Sequence, residues 1–110
     1  MGPKKLSEHY QKSNVLTAGK AKSQQILLEK AIVLVEKVLS GDMSKKVPLQ
    51  NILSQLQTSL NISRKISREL HKMYSIWWDV IEFGTQEDIE KVKEGLLHWH
   101  ETILMIQEIK

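Results

Sequence analysis

Three groups of residues have the types that chemistry needs, and their spacing decides what each can do. The segment Thr17-Ala18-Gly19-Lys20-Ala21-Lys22-Ser23 carries the glycine, lysine and hydroxyl of a phosphate-binding loop. Such a loop also needs an upstream glycine, a preceding strand and a Ser or Thr directly after the lysine, so that amides, ammonium and hydroxyl converge on one phosphate. This segment lacks all three. His98 and His100 flank Trp99, two apart on a helical pattern, and so point in different directions; a pair four apart would share one ion, this one cannot. His71, beside an apolar seam, reads as a boundary residue. The carboxylates Glu87 with Asp88, and Glu90 with Glu94, fall in the first turns of a helix, where negative charge complements the macrodipole better than it serves acid-base catalysis. Cysteine is absent, which removes thiolate metal sites and disulfides. The expectation is a protein that is not an enzyme, with no metal and no cofactor.

The elements that would position any site are helical. Ile62, Ile66, Leu70, Met73, Trp77 and Val80 recur at steps of four and three, and Ile89, Val92, Leu96, Trp99, Ile103 and Ile106 at steps of three and four. Between the two series lies Phe83-Gly84-Thr85-Gln86-Glu87-Asp88, where Gly84 suits a left-handed helix end and Thr85 with Asp88 resembles a capping box. Ala21 to Leu39 is apolar over more than half its circumference, which predicts a central helix touching neighbours on two sides. Ser40, Gly41 and Asp42 stop it; an exposed loop with Lys45 and Lys46 follows, and Pro48 starts a helix whose face is Leu49, Ile52, Leu53, Leu56 and Leu60. No alternating segment marks a strand. The predicted fold is all-α, an antiparallel four-helix bundle over 21–110 with an N-terminal arm, or a short extra helix near Tyr10, over 1–20. Ile66, Leu70, Met73, Trp77, Val92, Leu96, Trp99 and Ile103 are its expected core.

With 110 residues the chain forms one domain with room for one site. Its formal charge of +3 is concentrated in the first thirty residues, where Lys4, Lys5, Lys12, Lys20, Lys22 and Lys30 face only Glu8 and Glu29. Without arginine among them, these lysines read as a solvated arm rather than a nucleic-acid surface. The longest apolar run, Ile32 to Val35, is far short of a membrane span, and the start lacks the apolar core of a secretory signal. A soluble, cytoplasmic protein without nucleic-acid or membrane partners is expected.

Tyr74, Trp77, Trp78 and Phe83 crowd the end of the third helix. Adjacent Trp77 and Trp78 point about 100° apart, so both cannot centre one narrow seam. Trp78 is expected to border an apolar groove for a partner helix, together with Leu49, Leu53 and Ile81, large residues that four helices need not all bury.

Several segments, in order, resemble the FliS family of flagellin export chaperones. Tyr10-Gln11 and then Asn14-Val15-Leu16-Thr17-Ala18, leading into a long helix, are similar to that family's N-terminal signature. Lys30-Ala31-Ile32, the run Leu56 to Asn61, Met73-Tyr74, and Asp88 to Leu97 resemble its successive helix motifs. The chain differs where Lys20-Ala21-Lys22-Ser23 replaces the family's P-x-E-L and where Leu28 replaces a tyrosine. The resemblance implies a chaperone that binds the disordered C-terminal segment of flagellin, prevents early polymerisation and delivers it to the flagellar export gate. It implies partner contacts at Leu49, Leu53, Trp78 and Ile81, with Tyr10 and Val15 anchoring an arm that covers the empty groove. The alternative from the bare pattern is a structural or regulatory bundle that forms a homo-oligomer, such as a homodimer.

Overall fold

Each helix buries a row of residues spaced three and four apart, the period that keeps one stripe of a helix against its neighbours. In a computed structural model, which describes residues 18–59 and 64–108, the first helix, α1 (Ala18–Leu39), buries Ala21, Gln24, Leu28, Ala31, Val35 and Val38. Helix α2 (Lys46–Thr58) buries Leu49, Gln50, Leu53 and Leu56; α3 (Arg64–Phe83) buries Leu70, Tyr74 and Ile81. Helix α4 (Gln86–Glu108) buries Ile89, Val92, Leu96, Trp99, Ile103 and Ile106. The apolar members of these rows form one core, and no strand occurs among the described residues. The all-α four-helix bundle expected from the sequence is the observed fold. Helix α1 starts at Ala18, three residues inside the expected arm; Ile62 and Leu60 lie outside the described residues, and the side chain of Ile66 is not described.

Helix ends follow local chemistry, with one exchange of roles. Gly41 takes the left-handed conformation (φ 109°), its amide bonds to Val38 O, and the Asp42 amide reaches back to Lys37 O, closing α1 with a pair of reversed bonds. The Asp42 carboxylate then accepts from the Ser44 amide and caps a 3₁₀ turn at Met43–Lys45, which runs into α2 with Pro48 in its first turn. Lys45 and Lys46, expected in an exposed loop, are half-buried, the first ending this turn and the second starting α2. Gly84, expected to be the left-handed residue, is not: its amide still bonds to Val80 O at 2.7 Å, and a Cβ there would meet that oxygen at 2.6 Å. Space, rather than handedness, is what glycine supplies at this position. The capping box after it forms as predicted, with the Thr85 amide donating to Asp88 (3.0 Å) and the Asp88 amide to Thr85 Oγ1 (3.2 Å).

Side-chain hydrogen bonds give the direction of every seam. Gln86, at the start of α4, donates to Leu39 O at the end of α1, while Gln107 near the end of α4 donates to Gln25 near the start of α1. Gln24 ties the start of α1 to the end of α2, and Gln50 with Gln57 ties α2 to Trp78, Glu82 and His71 of α3 in reverse order. Tyr74 and Trp77 of α3 meet Trp99 and Gly95 of α4, again in reverse order. All four neighbouring pairs are therefore antiparallel; α1 with α4 forms the most extensive seam and α3 with α4 the least.

A chain of buried hydrogen bonds runs through all four helices. Trp99 Nε1 donates to Tyr74 Oη (2.7 Å), Tyr74 donates to Gln24 Oε1 (2.8 Å), and Gln24 Nε2 donates to Leu56 O (3.1 Å) and to Ser59 Oγ. Gln24, Tyr74 and Trp99 are 1%, 1% and 6% exposed, so each polar atom depends on the next for what water would otherwise supply. The sequence expectation of apolar seams missed Gln24 and took Tyr74 for part of an aromatic cluster.

Met73 and Trp77, expected in the core, are only half-buried. They lie on the flank of α3 by the thin α3–α4 seam, where the Trp77 ring rests on the α4 backbone at Gly95; a Cβ there would come within 2.6 Å of the ring. Three outcomes are expected in chemical denaturation. Leu96→Ala removes a fully buried side chain and costs about 2 to 5 kcal/mol. Tyr74→Phe deprives Gln24 and Trp99 of a buried partner and costs about 1 to 3 kcal/mol, although the ring volume is kept. Gly95→Ala lowers stability despite the roughly 1 kcal/mol helix-propensity advantage of alanine, because the Trp77 ring must move; a gain in stability would show that the ring gives way freely. For the capping box, the Asp88 carboxyl is held below its ordinary range by the Thr85 amide first and the Thr85 hydroxyl second. A lowered folded-state pKa stabilises the fold above the unfolded value and loses that contribution as pH falls through the folded one. Thr85→Ala keeps that amide and removes only the hydroxyl, so it should lower stability at neutral pH and flatten the loss of stability in acid only in part.

Candidate partner-binding surface

Once the core rows are filled, the two outer flanks of the bundle still carry large apolar side chains. On α1 the core row leaves a second row, Ile26, Lys30 and Val33, at steps of four and three on the face turned toward solvent. Ile26 is 43% and Val33 52% exposed, and with Leu34 and Ile52 of α2 they line an open groove of about 470 Å³. Glu29 and Lys30 are its only charged walls among the described residues, one of each sign. Helix α1 touches α2 and α4 on two sides as the breadth of its apolar arc predicted, yet that arc is wider than two neighbours cover.

On the opposite flank, α3 repeats this arrangement. Met73, Ile76, Val80 and Phe83 follow at steps of three, four and three beside the core row. Ile76 is 49% and Phe83 81% exposed. Two shallow grooves of about 320 and 260 Å³ run along them and share Ile76, with Glu69 and Lys72 at one end and Asp79 at the other.

Between the flanks, the α1–α4 seam is closed at the surface by charge. His100 Nε2 lies 3.0 Å from Glu29 Oε2, Gln25 donates to the same oxygen, and Lys93 reaches Glu36 at 4.0 Å. The hydrogen bond from Gln25 and then that from His100 hold the Glu29 carboxyl below its ordinary range. His100 thus clasps two helices, while His98, two residues earlier, is exposed and contributes its carbonyl to Thr102. His71 is half-buried, its Nε2 without a hydrogen-bond partner among the described residues. No group of three or more metal-ligating side chains occurs among the described residues, nor is any helix among them long and apolar enough to cross a membrane.

The residues expected to line a groove are divided by the structure. Leu49, Leu53 and Ile81 are fully buried, so the expected surplus of apolar surface is not located there. Each falls on the row of its helix that faces the bundle centre, and a period-based reading could not rank them below Ile26 or Ile76. Trp78 is half-buried, packed against the core at the α2–α3 boundary, where its carbonyl accepts from Gln50. Tyr10 and Val15 lie outside the described residues. Sequence reasoning gave no partner role to the accessible Ile26, Val33, Ile76 and Phe83; the signal for them was a second row at helical spacing on helices that already had a core row.

If these rows are surface rather than core, polar substitution there is tolerated. Ile26→Asp and Val33→Asp should change stability by about 0.5 kcal/mol or less, whereas Val35→Asp, which buries a charge in the same helix, should prevent folding. Thermal unfolding of the three variants checks the assignment. Comparison with family models, curated proteins and solved structures finds no match to the chain.

Proposed function

We propose that this chain is a binding module without catalysis, a cytoplasmic export chaperone that holds the C-terminal segment of flagellin and presents it to the flagellar export gate. The carrying observation is the α1–α2 groove, an open and largely apolar trough of about 470 Å³ walled by Ile26, Val33, Leu34 and Ile52. Amphipathic segments dock in such troughs by anchors at helical spacing, and a disordered segment that folds there has its own assembly surface covered. The choice of flagellin as the partner rests on the ordered motifs from Tyr10 to Leu97 that resemble the FliS family. Among the described residues neither the Glu29–His100 pair nor His71 and His98 places a nucleophile and a base in hydrogen-bond reach, which favours binding over chemistry.

Titration of the full chain with a flagellin C-terminal peptide, followed calorimetrically, tests this reading. Saturable binding is expected, weakened about tenfold or more by Ile26→Glu or Val33→Glu with the fold retained. Trp78→Ala should weaken binding more than stability if the partner extends to the α2–α3 boundary, and deletion of residues 1–17 should change the affinity. Absence of binding by the intact chain would leave the homo-oligomeric bundle as the better account.

A further inference from the structure

The exposed row on α3 has features that the α1–α2 groove lacks. Met73, Ile76, Val80 and Phe83 occupy alternating three- and four-residue steps over more than one heptad, the spacing by which one helix receives the knobs of another. From Glu69 to Phe83 this stripe is about 21 Å long, enough for one short helix-to-helix contact. Its rim carries Lys72 and Asp79, opposite in sign, seven residues apart and so on the same side of the stripe. Both are exposed, and neither has an ion-pair partner among the described residues.

Charges in this order are complementary to themselves when the helix is turned end for end. We propose that the stripe is a homodimer interface in which α3 of two copies pack antiparallel about a two-fold axis at the level of Ser75. Lys72 of each copy then faces Asp79 of the other, and one rotation forms both ion pairs, as an isologous contact requires. Ile76 of each copy packs against Ile76 and Met73 of the other at the centre, while Val80 and Phe83 extend beyond it over the turn of the other copy's α3 that carries His71 and Arg68. Sliding the pair by one heptad to put the axis near Asp79 would oppose two carboxylates, and a parallel pair would leave both charges without partners, so the rim selects the register. A contact of this length is at the small end of specific interfaces, and the dimer is therefore weak, with a dissociation constant on the order of 100 µM. The inference does not rest on the chaperone reading, because the α1–α2 groove lies on the opposite flank of the bundle.

Sedimentation equilibrium of the full chain from about 10 µM to about 1 mM, a range that brackets the expected constant, is the test. The mass should rise from monomer toward dimer with concentration. Ile76→Glu should abolish the rise. Lys72→Glu and Asp79→Lys should each weaken association about tenfold, and the double variant Lys72→Glu/Asp79→Lys should return it to within about threefold of the parent, since reversed charges pair again. All three substituted side chains are exposed, and circular dichroism checks that each variant is folded; if Ile76→Glu does not fold, the charge-reversal set decides alone. A monomer at every concentration, association indifferent to Ile76→Glu, or a double variant no better than the single ones would overturn the proposal. So would dissociation of the dimer by a flagellin C-terminal peptide whose binding Ile76→Glu removes, which would give the stripe to that partner.

Discussion

The hydroxyl of Tyr74 is the point on which the bundle is registered. It accepts from Trp99 and donates to Gln24, and through Gln24 the same chain of bonds ends on the α2 carbonyl of Leu56. Apolar side chains alone tolerate sliding and rotation of one helix on another, because dispersion and burial have little directional preference. A buried donor or acceptor has a strong one: displaced by an ångström or two, it loses its partner where no water replaces it. The backbones of α1 and α3 do not approach across the diagonal of the bundle, so this link through side chains is what sets their relative height. The neighbouring seams, with Gln50 on Glu82 and Gln107 on Gln25, repeat the device nearer the surface.

Once registered, α3 is left with more apolar surface than its neighbours can cover. The large rings of Tyr74, Trp77 and Trp99 fill the space between α3 and α4, edge to face for Tyr74 and Trp77, and this accounts for that seam having the fewest close backbone approaches. Gly95 relieves the crowding at one place only, under the Trp77 ring. The flank beyond it, from Met73 to Phe83, is consequently open. On the other side α1 shows the same excess at Ile26 and Val33. Rows of exposed apolar side chains on opposite flanks are where a surface of interaction would be sought. The proposed chaperone role would use one row for a helical segment from outside, and the proposed homodimer would cover the other.

Much of this was legible in the chain itself. Steps of three and four place four helices, Gly41 with Asp42 and Thr85 with Asp88 mark their ends through local hydrogen bonds, and Leu96, Trp99 and Ile103 announce a core because they have no polar alternative. These properties are local: they depend on residues within about one turn of each other, which a sequence presents directly. The absence of cysteine restricts chemistry in the same direct way.

Only the tertiary structure decided which of two apolar rows on one helix turns inward. Leu53 and Ile81 have the same hydrophobicity as Ile26 and Ile76, and period alone ranks them equally; the choice is made by the neighbouring helix that each happens to meet. The same holds for Gln24, an ordinary surface residue by type, which is buried because Tyr74, fifty residues later, and Leu56 complete its hydrogen bonds. It holds for Gly84 and Gly95, whose missing side chains matter for what approaches them and not for any freedom of their own backbone. Which face a helix buries, and whether a polar group can be buried at all, are properties of pairs distant in sequence, and they exist only once the chain has brought those pairs together.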